Sequence, residues 1–314
     1  MDAPELSVIL PLYEEGEALD ALLARLDTVL AGLGLSHEIL CIDDGSGDAT
    51  PERLEALARH RSDLRVIRLS RNFGHQAALA CGLDHARGRA VVMLDGDGQH
   101  PPELIPELVA RWRAGARVVN TRRRDAPGTP WVKRATSRAF YALFRRLTRL
   151  PLDAGMADFR LLDRQVVDTL RHLPERTLFL RGLVAWVGFP QAVVEFQAEP
   201  RLGGRPKYGT RRMGTLALAG LTAFTEAPLR LATALGFLFS ALAFAYLGYA
   251  LLGWLLGHNV PGWTSLVGSV LFLGGVQLLC LGILGEYLGK IFLETKARPR
   301  YVVERRLGFG DGDD

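Results

Sequence analysis

Acidic side chains follow one apolar segment of the chain at a spacing that suits a metal ion. Asp95, Gly96 and Asp97 come directly after the run Ala90–Leu94, and the glycine permits a tight turn. Two carboxylates one residue apart can place their oxygens near one hard cation. Mg²⁺ or Mn²⁺ prefers such a site, with substrate phosphates completing the shell. With Gln99 as a further oxygen or amide group nearby, these residues predict a divalent-metal site, for which a solvated acidic turn is the alternative.

A second acidic segment, residues 43–48, ends another apolar run and offers hydrogen-bond acceptors. Such acceptors suit the ribose hydroxyls and base edges of a nucleotide whose phosphates are shielded by the metal. Asp43, Asp44 and Ser46 are therefore candidate nucleotide ligands, and an Asx-rich turn with a helix cap is the alternative. Tyr13, at the end of the first apolar run, could cover a base ring or be a half-buried aromatic residue.

Alternating strands and helices would position these residues. The predicted strands are residues 7–13, 38–43, 64–69 and 90–94, and helical spacing is present in 19–30, from Thr50–Pro51 onward, in 76–86 and in 104–112. Strand–helix units with nearly continuous apolar strands favour a parallel sheet that is covered on both faces. In such sheets ligands bind at the carboxyl ends of the strands, so the acidic segments are expected to lie at one edge.

Two long uncharged stretches predict a membrane hairpin. Leu231–Gly257 and Val260–Gly285 contain no Asp, Glu, Lys or Arg, and each is long enough to cross a hydrocarbon core of roughly 30 Å. The six-residue turn between them has no Lys or Arg, whereas basic residues precede and follow the pair. The positive-inside rule therefore places both termini in the cytoplasm. A buried hydrophobic hairpin in a soluble core is the alternative.

Basic and aromatic residues are interleaved in Trp131–Arg149, which predicts an amphipathic helix on the anionic inner leaflet. Leu216–Leu229 is a second candidate for such an interfacial segment. Nucleic-acid binding is the alternative, and we disfavour it because the hairpin already places the chain at a membrane.

Composition and motifs exclude several classes of protein. The chain is 48% hydrophobic and 23% charged, which excludes a disordered or collagen-like protein. Three cysteines are too few and too scattered for a disulfide framework or a zinc site. The sequence has no P-loop, no dinucleotide-binding loop after a strand, and no zinc-protease or hydrolase motif.

The motifs occur in the order that is found in one large family. Ser7–Glu15, Ile42–Asp48, Ser70–Gly74 and Asp95–Glu103 resemble the family 2 glycosyltransferases. The segment Asp158–Asp163, the pair Lys207-Tyr208 and the terminal hairpin narrow the resemblance to the polyprenyl-phosphate glycosyltransferases, the group with bacterial undecaprenyl-phosphate glucosyltransferases and dolichyl-phosphate mannose synthases. The chain departs from the usual pattern at Gly96, Gly98 and Arg205-Pro206, and no charged ligand is lost there.

The resemblance implies a GT-A (Rossmann-like) nucleotide-sugar-binding α/β domain, amphipathic interface helices and a two-helix transmembrane hairpin. It implies a cytoplasmic catalytic domain at 1–210, an interfacial segment at 211–230, membrane helices at 231–257 and 264–288, and a cytoplasmic tail at 289–314. It also implies roles for individual residues. The nucleobase would lie against Pro11, Tyr13 and Glu15, with Asp44 near the ribose or base. The metal and donor diphosphate would be held by Asp95, Asp97 and Gln99, and donor or acceptor phosphates by Arg122, Arg201 and Lys207.

Asp158 would be the carboxylate at the reaction centre, with Asp97 as its catalytic partner. Because a phosphate acceptor with a second pKa of about 6 hardly needs deprotonation, Asp158 is either a base or an orienting group. An acid at the start of a helix before Phe159 is the non-functional alternative.

The implied reaction is the inverting transfer of a hexose from a nucleoside-diphosphate sugar to polyprenyl phosphate at the inner membrane, assisted by Mg²⁺ or Mn²⁺. Glucose and UDP are favoured; GDP-mannose and a UDP-aminosugar are the alternatives. A processive polysaccharide synthase is disfavoured because Gln-x-x-Arg-Trp is missing, and a non-catalytic scaffold that binds nucleotide sugars is the alternative outside enzymes. The expected partners are the donor, the lipid phosphate and the membrane, with no nucleic acid; a homo-oligomer is suggested by analogy.

Overall fold

The computed structural model describes residues 3–124, 142, 145–148, 155–176, 179–197, 225–256 and 262–309. The chain divides into two units, of which the first holds Met1–Met213 and Arg298–Asp314 and the second holds Gly214–Ala297. Arg201, Lys207, residues 216–224 and most of the Trp131–Arg149 segment lie outside the described residues. The predictions for those positions therefore stay predictions.

The described part of the first unit is built on one eight-stranded sheet with the order β7-β5-β6-β4-β1-β2-β3-β8. The strands are β1 (Leu6–Leu12), β2 (His37–Asp43), β3 (Leu64–Leu69), β4 (Ala90–Met93), β5 (Val118–Arg123), β6 (Met156–Asp163), β7 (Gln191–Phe196) and β8 (Val303–Leu307). Strand β1 pairs in parallel with β2 and β4, and β2 pairs in parallel with β3. The parallel strands that the apolar runs predict are thus confirmed.

The helices of this unit are α1 (Gly16–Leu33), α2 (Thr50–His60), α3 (His75–His85), α4 (Ile105–Arg113), α5 (Arg164–Arg171) and α6 (Leu180–Trp186), with a 3₁₀ turn at Pro102–Leu104. Leu19, Leu22, Leu26 and Leu30 of α1 are almost completely buried, because the helical repeat puts them on one face against the sheet. The core combines this face with the side chains of β1, β2 and β4.

Strand β6 runs antiparallel to both of its neighbours, β4 and β5. Met93 at the end of β4 is opposite Arg160, and Ala90 at its start is opposite Asp163. The early residues of β6 therefore lie at the carboxyl edge of the parallel strands, although the sequence pattern gives no sign of this reversal.

Residues 298–309 also belong to the first unit, where the sequence pattern indicates only a tail. Strand β8 pairs antiparallel with β3, and the amide of Ser70 donates to the carbonyl of Val302 at 2.9 Å. The guanidinium of Arg300 donates to the carbonyl of Glu175 at 2.9 Å, and the hydroxyl of Tyr301 donates to Asp84 Oδ2 at 2.9 Å. The segment thus covers an edge of the sheet.

The second unit contains two long helices, α7 (Ala227–Leu255) and α8 (Trp263–Thr295). Both are long and apolar enough to cross a membrane, over Ala227–Tyr249 with a mean hydropathy of 1.8 and Gly268–Thr295 with a mean hydropathy of 1.9. Neither span is buried by the protein itself. The helices contact one another, with the rings of Phe239 and Phe272 5.2 Å apart. This arrangement fits the predicted transmembrane hairpin, although α7 begins four residues earlier and α8 ends seven residues later than the predicted spans.

Candidate active site

The turn after β4 holds the predicted metal ligands. The side chain of Asp95 is 28% exposed, and Oδ1 of Asp97 accepts a hydrogen bond from the amide of Gln99 at 3.0 Å. A Cβ atom at Gly96 would lie 2.4 Å from Cδ2 of Leu12, because the turn packs directly on the end of β1. The glycine therefore lets the acidic turn lie against the neighbouring strand.

The end of β2 forms a folded turn that is closely tied to the turn after β3. Both oxygens of Asp44 accept backbone hydrogen bonds, from Phe73 at 2.7 Å and from Gly74 at 2.8 Å. Gly45 has a φ of +69°, and a Cβ atom there would lie 2.5 Å from the carbonyl carbon of Arg71. Burial raises the pKa of Asp44 despite these hydrogen bonds. Asp44 thus positions the segment that leads into α3, in addition to its predicted role near the ribose.

Asp43 and Ser46 make the local contacts of an Asx turn. Oδ1 of Asp43 accepts from the amide of Ser46 at 3.0 Å, and Ser46 Oγ accepts from the amide of Glu14 at 2.9 Å. Oδ2 of Asp43 is buried and has no hydrogen-bond partner within the described residues, although Nε of Arg68 lies 3.6 Å away. The turn that was the alternative interpretation is therefore present, and one carboxylate oxygen stays available.

The end of β1 and the turn after it hold the predicted base-binding residues, beside the β2 turn. Pro11 and Glu15 are buried and Tyr13 is partly exposed. The amide of Glu15 donates to Oγ1 of Thr50 at 3.2 Å, which fixes the start of α1 against the start of α2. The negative charge of Glu14, together with burial, raises the pKa of Tyr13. These three residues share one edge with the acidic turns.

Asp158 lies inside β6, so its alternative interpretation as a helix-start acid is wrong. Asp158 is 7% exposed. Both of its carboxylate oxygens accept hydrogen bonds from Arg181 of α6, whose Nε and Nη2 donate at 2.8 Å each. Nη2 of Arg160 lies 3.4 Å from Oδ1. Burial alone would raise the pKa of Asp158, but Arg181 and His75 hold it well below its ordinary value.

Two histidines that the sequence analysis did not single out lie beside the carboxylates of Asp95 and Asp158. Nε2 of His75, the first residue of α3, lies 3.4 Å from Oδ1 of Asp95 and 3.6 Å from Oδ2 of Asp158. Nδ1 of His100 lies 3.4 Å from the other oxygen of Asp95, and its ring stacks on Phe159 at 5.4 Å. Burial lowers the pKa of His75, but the two carboxylates outweigh it and raise the pKa to about 9.

We call the set Asp43, Asp44, Asp95, Asp97 and Asp158 the carboxylate edge. The structure brings all five to the carboxyl ends of the parallel strands, the last through the reversed direction of β6. Arg122 is opposite Met156 in the β5–β6 ladder, so it reaches the same edge, and its Nη1 lies 3.7 Å from Oε1 of Glu195. The position of His75 directly after the predicted strand-end segment was the signal that could have identified it.

The residues at the turn after β4 fit a hard divalent cation. Asp95, Asp97 and Gln99 offer oxygen atoms, and the first two stand on a turn that is held against β1. Within the part of the chain that the structure describes, no group of three or more His, Cys, Asp or Glu side chains is arranged as a complete metal cage. A site with two carboxylates therefore suits Mg²⁺ or Mn²⁺, which take much of their shell from substrate phosphates and water.

Two family models match the chain. The family described as Glycosyl transferase family 2 matches residues 7–171, which include the carboxylate edge. The family described as GtrB C-terminal hairpin matches residues 227–291, which include α7 and most of α8.

Relatives match nearly the whole chain. An uncharacterized glycosyltransferase of Synechocystis is 45% identical over 97% of this chain and 96% of its own length. The bactoprenol glucosyl transferase of Shigella phage SfX is 40% identical over 96% of this chain and 99% of its own length. A solved structure of glucosyl-3-phosphoglycerate synthase from Mycobacterium tuberculosis aligns with a TM-score of 0.47 at 21% identity, over 71% of this chain and 80% of that chain. By its family match and its full-length relatives, this chain belongs to glycosyltransferase family 2, and it carries a GtrB-type hairpin.

Proposed function

We propose that this enzyme transfers a hexose, with glucose favoured, from a nucleoside-diphosphate sugar, with UDP favoured, to undecaprenyl or a similar polyprenyl phosphate. The observation that carries the proposal is that one chain combines the carboxylate edge with a hairpin of two exposed apolar helices. The first suits a sugar nucleotide and its metal, and the second suits a lipid acceptor. The near full-length similarity to bactoprenol glucosyl transferases of Shigella phages supports glucose and the lipid phosphate.

The metal in this proposal is held by Asp95 and Asp97, with Gln99 beside them. When bound, a divalent cation neutralises charge on the departing diphosphate. His75 lies 3.4 Å from Oδ1 of Asp95 and His100 lies 3.4 Å from Oδ2, so each carboxylate oxygen has an imidazole neighbour. Asp43, Asp44, Ser46, Pro11, Tyr13 and Glu15 are the proposed contacts of the nucleoside.

The proposed reaction is a single displacement. A phosphate oxygen of the lipid attacks the anomeric carbon and forms the new C–O bond. The bond to the donor diphosphate breaks on the opposite face, and the electron pair leaves with the nucleotide, so the configuration inverts. Arg122, Arg201 and Lys207 are the proposed ligands of donor or acceptor phosphates.

Asp158 serves in this proposal as a positioning carboxylate rather than a base. A general base works best when its pKa is near the operating pH. The pKa of Asp158 is held far below that range by Arg181 and His75. The acceptor phosphate is mostly dianionic at neutral pH, so no proton has to be removed. The carboxylate instead orients Arg181 and His75 toward the reacting groups.

We also propose the topology that the basic residues indicate. The catalytic unit and both termini face the cytoplasm, and the hairpin crosses the inner membrane. Arg230, which precedes the uncharged stretch Leu231–Gly257, and Lys290, Lys296 and Arg298, which follow the uncharged stretch Val260–Gly285, support this orientation. The amphipathic segments at Trp131–Arg149 and Leu216–Leu229 would bring the catalytic unit to the lipid surface.

The proposal is tested by incubating the purified protein with undecaprenyl phosphate and one nucleotide sugar at a time. UDP-glucose, GDP-mannose and UDP-N-acetylglucosamine are the donors, each with Mn²⁺ or Mg²⁺, and mass spectrometry identifies the lipid product. We expect glucosyl phosphoryl undecaprenol. A product from another donor would correct the sugar, whereas donor binding without any product would favour the non-catalytic scaffold.

A further inference from the structure

A concave basic surface lies at the opposite edge of the sheet from the site described above. The cavity has a volume of about 490 Å³ and opens between the start of β4, the start of β5, the end of β6 and the end of α4. Its principal wall residues are Arg89, Trp112, Arg113, Arg117, Asp163 and Arg164. We call it the arginine cleft. Its volume is within the range of roughly 300–1,000 Å³ that is common for small-ligand pockets.

The inner wall of the arginine cleft is firmly built. Oδ2 of Asp163 accepts hydrogen bonds from Nε1 of Trp112 at 2.7 Å and from Nη1 of Arg117 at 2.9 Å. Nε of Arg164 donates to the carbonyl of Gly88 at 2.9 Å, and its Nη2 donates to the carbonyl of Ala86 at 3.0 Å. These contacts fix two guanidinium groups and the indole ring before any ligand arrives.

The rim of the cleft differs from its inner wall in the pairing of its arginines. Arg89 and Arg113 are exposed, and within the described ranges of the chain neither guanidinium has a hydrogen bond or an ion pair. Asp163, the one carboxylate among the lining residues, pairs with Arg117, and Arg164 pairs with Asp168 outside the cleft at 3.3 Å, so among the described residues Arg89 and Arg113 supply the unbalanced positive charge. A surplus of positive charge remains around a concave surface, which is the electrostatic condition for binding an anion of more than one charge.

The donors also have a suitable shape. A guanidinium group presents two parallel N–H donors that match the oxygens of a phosphate, and it stays charged at every physiological pH. The indole nitrogen of Trp112 is already used by Asp163, so the arginines supply the donors for a ligand in the cleft. We propose that the arginine cleft binds a phosphate-bearing anion, from either a free phosphate compound or a lipid headgroup.

This site is separate from the donor site. Arg89 precedes β4 and Asp95 follows it, and at about 3.3 Å per residue the six residue steps from one to the other span roughly 20 Å. A phosphate group that is bound in the cleft therefore does not reach the carboxylate edge. The proposal therefore does not depend on the transferase reaction.

The experiment is isothermal titration calorimetry on the full-length protein in detergent with EDTA, which keeps divalent cations out of the donor site. Inorganic pyrophosphate is the free phosphate probe, and dihexanoyl phosphatidylglycerol below its micelle concentration is the lipid probe. We expect saturable binding of at least one probe, weakened at least about tenfold in R89E/R113E and reduced by added salt. The tighter probe identifies the source of the anion.

The control is R111E, which removes the same kind of charge from the same helix outside the cleft, where Arg111 pairs with Glu107. This control should bind like the wild type. Both variants replace exposed side chains, and an unchanged melting temperature shows that they fold. Failure of the wild type to bind either probe, or equal binding by R89E/R113E and the wild type, would overturn the proposal.

Discussion

Strand β6 carries a buried aspartate near each end, and the two differ in what surrounds them. Asp158 at the carboxylate edge accepts hydrogen bonds from Arg181. His75 lies between the carboxylates of Asp158 and Asp95. Asp163 in the arginine cleft accepts hydrogen bonds from Trp112 and Arg117 and has uncommitted arginines around it.

The same residue type on the same strand thus lies in an acidic site at one end of the strand and in a basic site at the other. At the carboxylate edge the acids need a cation to complete the site, and the proposed cation is a metal. In the arginine cleft the bases need an anion. Burial raises the pKa of both aspartates, and different contacts outweigh it: Arg181 and His75 lower the pKa of Asp158, whereas Trp112, a backbone amide and Arg117 lower that of Asp163. Function follows from the neighbours rather than from the aspartate.

The largest expected effect on turnover is that of replacing Asp158. Asp158→Asn removes the charge that orients Arg181 and His75, and we expect turnover to fall by about 10²-fold while the affinity for the nucleotide sugar is retained. Steady-state kinetics and titration calorimetry with UDP-glucose measure the two quantities.

The matched control is Asp163→Asn, the same substitution at the other end of the strand. It should keep the turnover of the folded enzyme. Near-normal turnover in Asp158→Asn would remove this residue from the mechanism, and an equal loss in both variants would show that only the stability of β6 was disturbed.

The next effect concerns the metal. Chelation with EDTA should reduce transfer by at least about tenfold, and Mn²⁺ or Mg²⁺ should restore it. Asp97→Asn should weaken Mn²⁺ binding in electron paramagnetic resonance titrations made without the nucleotide-sugar donor, because the metal loses one of its two proposed carboxylate ligands. Full activity in chelated enzyme, or unchanged Mn²⁺ affinity in the variant, contradicts the proposed site.

A smaller effect is expected at His75, which lies between two carboxylates. His75→Leu should lower kcat by about tenfold or more, because Asp95 and Asp158 lose their shared contact and shift from their positions. The KM for UDP-glucose should change less than kcat. His75→Gln keeps an N–H donor and should recover part of the rate; the same kcat in both variants would argue for a packing role.

The smallest effect is a dependence of stability on pH. The pKa of Asp163 is lowered: burial would raise it, but the hydrogen bonds from Trp112 and Gln165 and the contacts of Arg117 outweigh that. A carboxyl with a lowered pKa stabilises the folded state above its unfolded pKa of about 3.9, and this contribution is lost as the pH falls through the folded value.

Asp163→Asn should therefore lower stability by about 1 kcal/mol at pH 7 and have little further effect at the acid end. Thermal denaturation between pH 7 and pH 3 measures the difference between the variant and the wild type. A difference that is constant over the whole range would show that the ionisation of Asp163 does not contribute.

Much of the parallel half of the sheet could be predicted from the sequence. Apolar runs such as Leu6–Leu12 and Ile39–Ile42 are buried on both faces, which makes them conspicuous, and Pro51 marks the start of α2. The acidic residues follow these strands directly, so the rule for the carboxyl edge of parallel sheets was sufficient to place them together.

The rest depended on contacts between distant segments. The direction of β6 is set by pairing with β4 and β5, which no local pattern records, and this reversal delivers Asp158 to the site. His75 became notable only when α3 brought it between two carboxylates that are far apart in sequence. Strand β8 carries three charged residues in five, so its alternation is weak and its partner strand decides its structure.

The position of β8 near the end of the sequence also determines when the sheet can be completed during synthesis. Since a chain is synthesised from its amino end, β3 has an unpaired outer edge until the ribosome has passed the whole hairpin and made residues 303–307. An open edge of this kind can pair with other chains. The first unit would thus finish its sheet only after the apolar helices have been synthesised, which couples its folding to that of the helical hairpin.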